Sequence, residues 1–425
     1  MAYNKDKLDG LVSAAGVKSW SELYIKKCGL DTEANERWQN PERPVMEPWV
    51  IKQPYVGGAT LVTLDRNPYY HKVDSAGNQL PYIDHLQISV NADAQTLVLK
   101  VVNGEIDYQD RHINKNSNRA VFLDNAKQGN YRLVDEKNAD MNTAIFSLNL
   151  NSKDAVKRQI FNNKDFRIGL SYAIDRKAII DAAYLGEGEP WQAGPRRESP
   201  YFNEKLATQY TEYDEAKANE YLDKAFPKKN AQGIRLGPDG NPISFSILVI
   251  PALGDFVDAA QLVGQYWQKV GIDAKVQTVD RTLFYDRKDH NDQDATVFQG
   301  SGGMADALLE PTFYFPFWNE SLFAVAWGNW YASGGKSGEE PPPEVKKQMD
   351  LYREVKGVAD VDKQKALMKE ILDIAADQFY AFGISTPGPL YAVVKNNMHN
   401  VPVAFFSWTY PSPVASGTEQ YFFSK

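Results

Sequence analysis

The run ISFSILVIPALGDFVDAAQLVGQYWQKVGIDAKVQTV, residues 243–279, constrains the fold more than any other part of the chain. Ile243, Phe245, Ile247 and Val249 alternate as one face of a strand. Phe256, Ala259, Ala260, Val263 and Trp267 then fall on one stripe of a helix, and Gly271 stops it. The run from Ile272 to Val279 alternates again. Strand, helix and strand in this order favour a parallel pair joined by a right-handed crossover. The expected class is therefore α/β.

Other segments extend the pattern. Residues 59–64 and 86–90 read as strands. Between them DRNPYYHKVDSAGNQLPYIDHLQI, 65–88, is dense in turn residues, which predicts a tight crossover plugged by Tyr69, Tyr70 and Tyr82. DAQTLVLKVVNGEIDY carries Leu97, Val98, Val101 and Val102 at helical spacing and is stopped by Gly104. Asp165 reads as the N-cap of one helix, FRIGLSYAIDRKAIIDAAYLG, ending at Gly186. Asp214 opens another helix, with Ala218, Tyr221, Leu222 and Ala225 on one face. Two late helices, near 343–356 and 360–380, precede a Pro- and aromatic-rich tail.

With 425 residues the chain is too long for one simple core, so two lobes are expected. A net charge of −8 and the lack of a basic run argue against a nucleic-acid partner. No apolar run approaches the roughly 20 residues that span a bilayer. The opening MAYNKDKLDG is polar and has no secretory apolar core. Cys28 is the single cysteine and the five histidines are scattered, so neither a metal nor another cofactor is expected. Aromatic content of 12% fits either core filling or a cleft lined with flat rings.

Several motifs keep a recognisable order. RNPYYHKVDSAGNQLPYIDHLQI is followed by Asn103-Gly104-Glu105-Ile106-Asp107-Tyr108, by FNNKDFRIGLSYAIDRKAII at 161–180, by YDEAKANEYLDKA at 213–225 and by Trp267 with Gly271-Ile272-Asp273. The ordered set resembles the extracellular solute-binding proteins of family 5, the oligopeptide/nickel type that serves bacterial ABC importers. The resemblance runs from about residue 47 to the C-terminus. It implies a type II periplasmic-binding-protein-like fold: two lobes of mixed sheets flanked by helices, hinged around a ligand cleft. The chain then reads as an N-terminally shortened member, in which an incomplete lobe I would leave the groove incomplete. Residues 1–46 would be the remnant of the N-terminal region, 47–140 a lobe I segment, 141–380 lobe II, and 381–425 a return to lobe I.

The resemblance also directs attention to FQGSGGMADALLEPTFYFPFW, 298–318. Gly302 and Gly303 would let backbone amides approach a ligand, with Gln299 beside them. Asp306 stands in A-D-A-L-L-E-P-T, similar to the A-D-x-x-E-P-T of oligopeptide binders with one residue inserted. There the Asp pairs with a ligand amino terminus; here a helix cap is the plainer role. Tyr314, Trp318, Trp327 and Trp330 follow closely, suited to stacking on sugars or to core packing. Arg196 and its neighbour Arg197 would suit a carboxylate or a solvated loop, and Trp191 precedes them.

The function implied is a non-catalytic, periplasmic solute-binding component that captures a short peptide or an oligosaccharide between two lobes. It would deliver that ligand to an ABC permease and act as a monomer, unless completed by a missing N-terminal segment. The alternatives are a glycosidase-like enzyme or a binding protein serving a chemoreceptor. A glycosidase needs a carboxylate pair that composition cannot identify. No nucleophile elbow or nucleotide fingerprint is present.

Overall fold

The computed structural model describes residues 5–28, 38–91, 93–251, 256–407 and 416–424. Part of the Pro- and aromatic-rich tail lies outside them, as does Asp255. The chain divides into two compact units, Met1–Lys137 with Leu390–Lys425, and Asn138–Pro389.

In the first unit β1 (Trp49–Gln53), β2 (Leu61–Arg66) and β3 (His85–Ser89) form an antiparallel sheet. Leu61 lies opposite Ser89 and Asp65 opposite His85. Residues 67–84 are thus a long hairpin connection rather than a crossover. Its turn is built on Asp74, whose carboxylate accepts from the amides of Ala76 at 2.9 Å and Asn78 at 2.8 Å. The Tyr82 hydroxyl donates to Asp74 Oδ2 at 2.6 Å. That hydroxyl, with Asn78, holds the Asp74 carboxyl down at about 2. Of the three tyrosines expected to plug the connection, only Tyr70 is buried. Tyr69 is 91% exposed, because the tight turn at Asn67-Pro68 sends it and Tyr70 in different directions, and Tyr82 is partly exposed, its hydroxyl reaching the Asp74 turn.

β4 (Tyr108–Gln109) and β5 (Tyr131–Asn138) follow, with helices Ala94–Val102 and Asn116–Gly129 before each. Asp93 caps the first helix by accepting from Gln95 and Thr96 amides. Gly104 ends it with φ +72°, where a Cβ would lie 2.5 Å from the Gly129 carbonyl.

In the second unit β6 (Asn142–Leu148), β7 (Ser244–Val249), β8 (Asp273–Thr278), β9 (Ala295–Gly300) and β10 (Ala381–Gly383) form a mixed sheet, ordered β10-β6-β9-β7-β8. β7 runs parallel to both β8 and β9, whereas β6 pairs antiparallel with β9 and β10. The helix Phe256–Lys269 supplies the 243–279 crossover, and its expected stripe is entirely buried. Trp267 packs among Phe146, Phe245 and Phe382, and its Nε1 donates to the Leu170 carbonyl at 3.0 Å. Losing that side chain would cost about 3–5 kcal/mol. On the opposite face Leu248 and Ile250 pack with Phe284 and Leu322.

The single helix expected over 166–186 is two helices, Lys164–Tyr172 and Arg176–Ala183. Asn163, not Asp165, caps the first by accepting from Phe166 N. Asp175 caps the second by accepting from Ala178 N at 3.0 Å.

The chain returns to the first unit through β11 (Leu390–Lys395). There it joins a sheet ordered β13-β5-β11-β4, with β13 spanning Ala404–Ser407. Both faces of β11 are buried. Tyr391 and Val393 pack against residues of the two helices, and Ala392 and Val394 against Met398 and Tyr421. A small pair, β12 (Met398–His399) and β14 (Phe422–Phe423), closes the C-terminal segment. Glu419 in that segment pairs with Lys72 at 2.8 Å, tying it to the hairpin connection.

Candidate functional site

The glycine-rich run leaves β9 at its C-terminal end and meets the N-terminal side of β6. Met141 N donates to the Gly300 carbonyl at 2.7 Å. Gly303 sits flat against the neighbouring chain: a Cβ there would lie 2.5 Å from both Ala139 O and Met141 N. Gly302 has φ +80°, and a Cβ on it would meet the Glu310 carbonyl at 2.7 Å. These two positions therefore require glycine for close packing, and the packing brings Asp140 beside Asp306.

Arg196 joins the cluster from another loop. Its amide donates to the Gly303 carbonyl at 2.8 Å, and its Nη1 donates to the Asn138 carbonyl at 2.5 Å. Ser199 Oγ donates to Met304 O at 2.8 Å. The buried Tyr314 hydroxyl donates to the Gly302 carbonyl. Burial raises the pKa of that hydroxyl well above its ordinary value, with Asp306 and Glu310 adding to the effect.

Asp306 lies in a short 3-10 turn, Ala305–Leu308, and is 8% exposed. Its Oδ1 accepts from Met304 N at 2.7 Å, a capping contact. Its Oδ2 has no hydrogen-bond partner among the described residues. Burial raises its pKa, opposed by the surrounding backbone amides. Asp140 is half-buried, and its carboxyl is pushed up to about 7 by burial and by the charges of Asp306 and Glu310, with Arg196 acting in the opposite sense. Asp140 thus feels two other carboxylates and one guanidinium, and the open Asp306 Oδ2 is an acceptor suited to a cationic donor.

The other expected residues lie apart from this cluster or in its walls. Gln299 is half-buried within β9. Trp191 is fully buried, its Nε1 donating to Gly194 O at 2.9 Å, and it is covered by Phe202 and by the Arg197 guanidinium at 4.9 Å. Trp327 is buried in the core of the second unit. Trp318 Nε1 donates to Thr312 Oγ1 at 3.1 Å. Trp330 is half-buried, with Gly335 and Lys346 against its ring. Gly302, Gly303, Asp306, Tyr314 and Arg196 are brought together; Trp191 and Trp327 are buried, and Trp318 and Trp330 half-buried. Sequence reasoning missed Asp140, whose NADMN context has no periodicity or motif. It also missed Glu310, although that residue stands in the same A-D-A-L-L-E-P-T as Asp306. Among the described residues no group of three His, Cys, Asp or Glu could hold a metal ion, and no helix is long and apolar enough to cross a membrane.

A family model described as bacterial extracellular solute-binding proteins, family 5 (middle), matches residues 15–321. A probable ABC transporter-binding protein of Deinococcus radiodurans is 26% identical over 276 residues, covering 62% of this chain and 46% of its own length. The chain spans about half the length of the curated relatives it matches. Among solved structures, an oligopeptide-binding protein OppA superposes with a TM-score of 0.64 at 31% identity, over 96% of this chain and 66% of that one. The periplasmic binding protein MelB from Agrobacterium fabrum C58, in complex with stachyose, superposes with a TM-score of 0.70 at 20% identity, over 90% and 57%. The fold is that of the type II periplasmic binding proteins.

Proposed function

The chain belongs to the bacterial extracellular solute-binding proteins of family 5, and we propose that it is the non-catalytic, periplasmic ligand-capturing component of an ABC importer. Its ligand is a short peptide held by a free amino group at Asp306, and its partner is a membrane permease. The relatives' names support both peptide and oligosaccharide ligands; the chemistry of the site favours the first. The observation that carries this reading is the buried Asp306, whose Oδ2 has no hydrogen-bond partner among the described residues, beside the carboxylates of Asp140 and Glu310. A neutral sugar hydroxyl would offer Asp306 Oδ2 no opposite charge, whereas an ammonium group donates to the open oxygen and offsets its charge. Of the indoles that would suit a sugar, Trp191 and Trp327 are buried.

Calorimetric titration of di- to pentapeptides, each with a free or an acetylated amino end, tests this. Asp306→Asn should weaken the free-amine peptides roughly 10- to 100-fold and leave the acetylated ones little changed. Equal loss for both, or binding of stachyose unaffected by the substitution, overturns the reading.

A further inference from the structure

Asp140 and Asp306 are held together by main-chain contacts that leave neither segment free to withdraw. Gly303 packs directly on the peptide units of residues 139–141. Met141 N bonds to Gly300 O, and Arg196 clamps both sides through Gly303 O and Asn138 O. Asp140 N is fixed in turn by Asn138 Oδ1 at 2.9 Å. The ionisable groups acting on Asp140 are Asp306 and Glu310 from the glycine-rich run and Arg196 from its loop. Arg196 itself leans toward the exposed Glu198, with Nε 3.6 Å from Oε2. Tyr314 completes the surroundings as a neutral hydroxyl already donating to Gly302 O.

Burial, together with the charges of Asp306 and Glu310 held near by this packing, favours the protonated form of Asp140 over the opposing pull of Arg196. We propose that Asp140 is a second carboxylate of the ligand-ammonium site, holding a proton in the free protein and releasing it to water when a cationic amine binds beside Asp306. This rests on the peptide-amine reading above. The exchange balances: the Asp140 O–H bond breaks, its electron pair stays on oxygen, and the incoming ammonium replaces the proton's positive charge. The second observation pointing to a ligand is again Asp306 Oδ2, nine-tenths buried and open. Capture is then linked to pH, and affinity grows as the medium rises from mildly acidic to neutral.

The test is isothermal titration of trialanine into the wild-type chain at about pH 5.5 and about pH 7, each in two buffers of different ionisation enthalpy, since linkage ties proton release to the pH slope of affinity. The peptide amine stays charged across this range. Binding should release close to one proton at the lower pH and about half at the higher, with Kd roughly tenfold smaller at the higher pH. Asp140→Asn should abolish the release and flatten the pH dependence while still binding. Trialanine that binds the wild type with no proton release and a flat Kd overturns the inference and leaves the peptide reading standing. Full release retained in Asp140→Asn also overturns it, because the proton then sits elsewhere. No binding at either pH overturns both. The wild-type proton count needs no variant, so a misfolded Asp140→Asn chain cannot shelter the proposal.

Discussion

Arg176 Nε donates to the carbonyl of Gly383 at 2.9 Å, joining residues 207 positions apart. The same guanidinium donates from Nη1 to Ser171 O at 3.0 Å and from Nη2 to Ser171 Oγ at 2.8 Å. Arg167, one helix earlier, donates to the carbonyls of Phe161, Phe379 and Gln378. Both are almost fully buried. The F-R-x-x-L…A-I-D-R run that helped to reveal the family is thus a pair of arginine brackets, holding the break between two helices to the segment around β10.

Arg176→Ala should therefore destabilise the chain without touching the ligand site. It removes the buried guanidinium's bonds to the Gly383 carbonyl and to Ser171, which costs about 3 kcal/mol or more. Chemical denaturation should show a lower midpoint with an unchanged slope. An unchanged midpoint would mean that water or a neighbour replaces the guanidinium.

Gly303→Ala should disturb the site more than the fold. Its new methyl group would have to displace the backbone at 139–141, with contacts near 2.5 Å that real structures do not tolerate. Separation of Asp140 from Asp306 should follow, so peptide affinity should fall at least about tenfold, a loss of ~1.4 kcal/mol. The check is calorimetry beside a thermal melt: affinity lost together with the whole fold would count against this localisation.

Tyr82→Phe should release Asp74 from its strongest perturbation. The folded carboxyl sits at about 2 because the phenol hydroxyl donates to it. A lowered folded pKa contributes stability above the ordinary carboxylate value and loses it as pH falls through about 2. Removing the hydroxyl should move the Asp74 titration upward toward about 4, read by carboxyl-carbon NMR. A titration that stays near its wild-type midpoint would assign the shift to the Asn78 contacts instead.

The parts of the fold legible in the sequence were those where one periodicity ran uninterrupted. The 243–279 unit is the clearest case, because alternation, a helical stripe and Gly271 each mark a boundary and agree. The two helices within 164–183 were read as one. Apolar spacing carries smoothly across Ala173 and Ile174, and Asp175 looks like an interior residue until its side chain is seen capping Ala178. Tyr69 and Tyr70 are identical in type and adjacent, yet the turn between β2 and β3 buries one and exposes the other. Asp306 drew attention through its motif. Asp140 did not, since its place near Asp306 comes from a contact between the start of β6 and the end of β9, made possible by a glycine some 160 residues away. No local pattern carries that information.

The excursion of the chain through Asn138–Pro389 has a consequence for its synthesis. That unit is contiguous in sequence, so it can complete before the last segment, 390–424, has joined. The other unit cannot finish then. Tyr131 on β5 awaits Lys395 on β11, and Lys72 awaits Glu419. Until the last segment emerges, β5 presents an open edge able to pair with the wrong strand. Joining of β11 and β13 is therefore what closes that edge, so the unit that is split in sequence is the one exposed to mispairing while the chain folds.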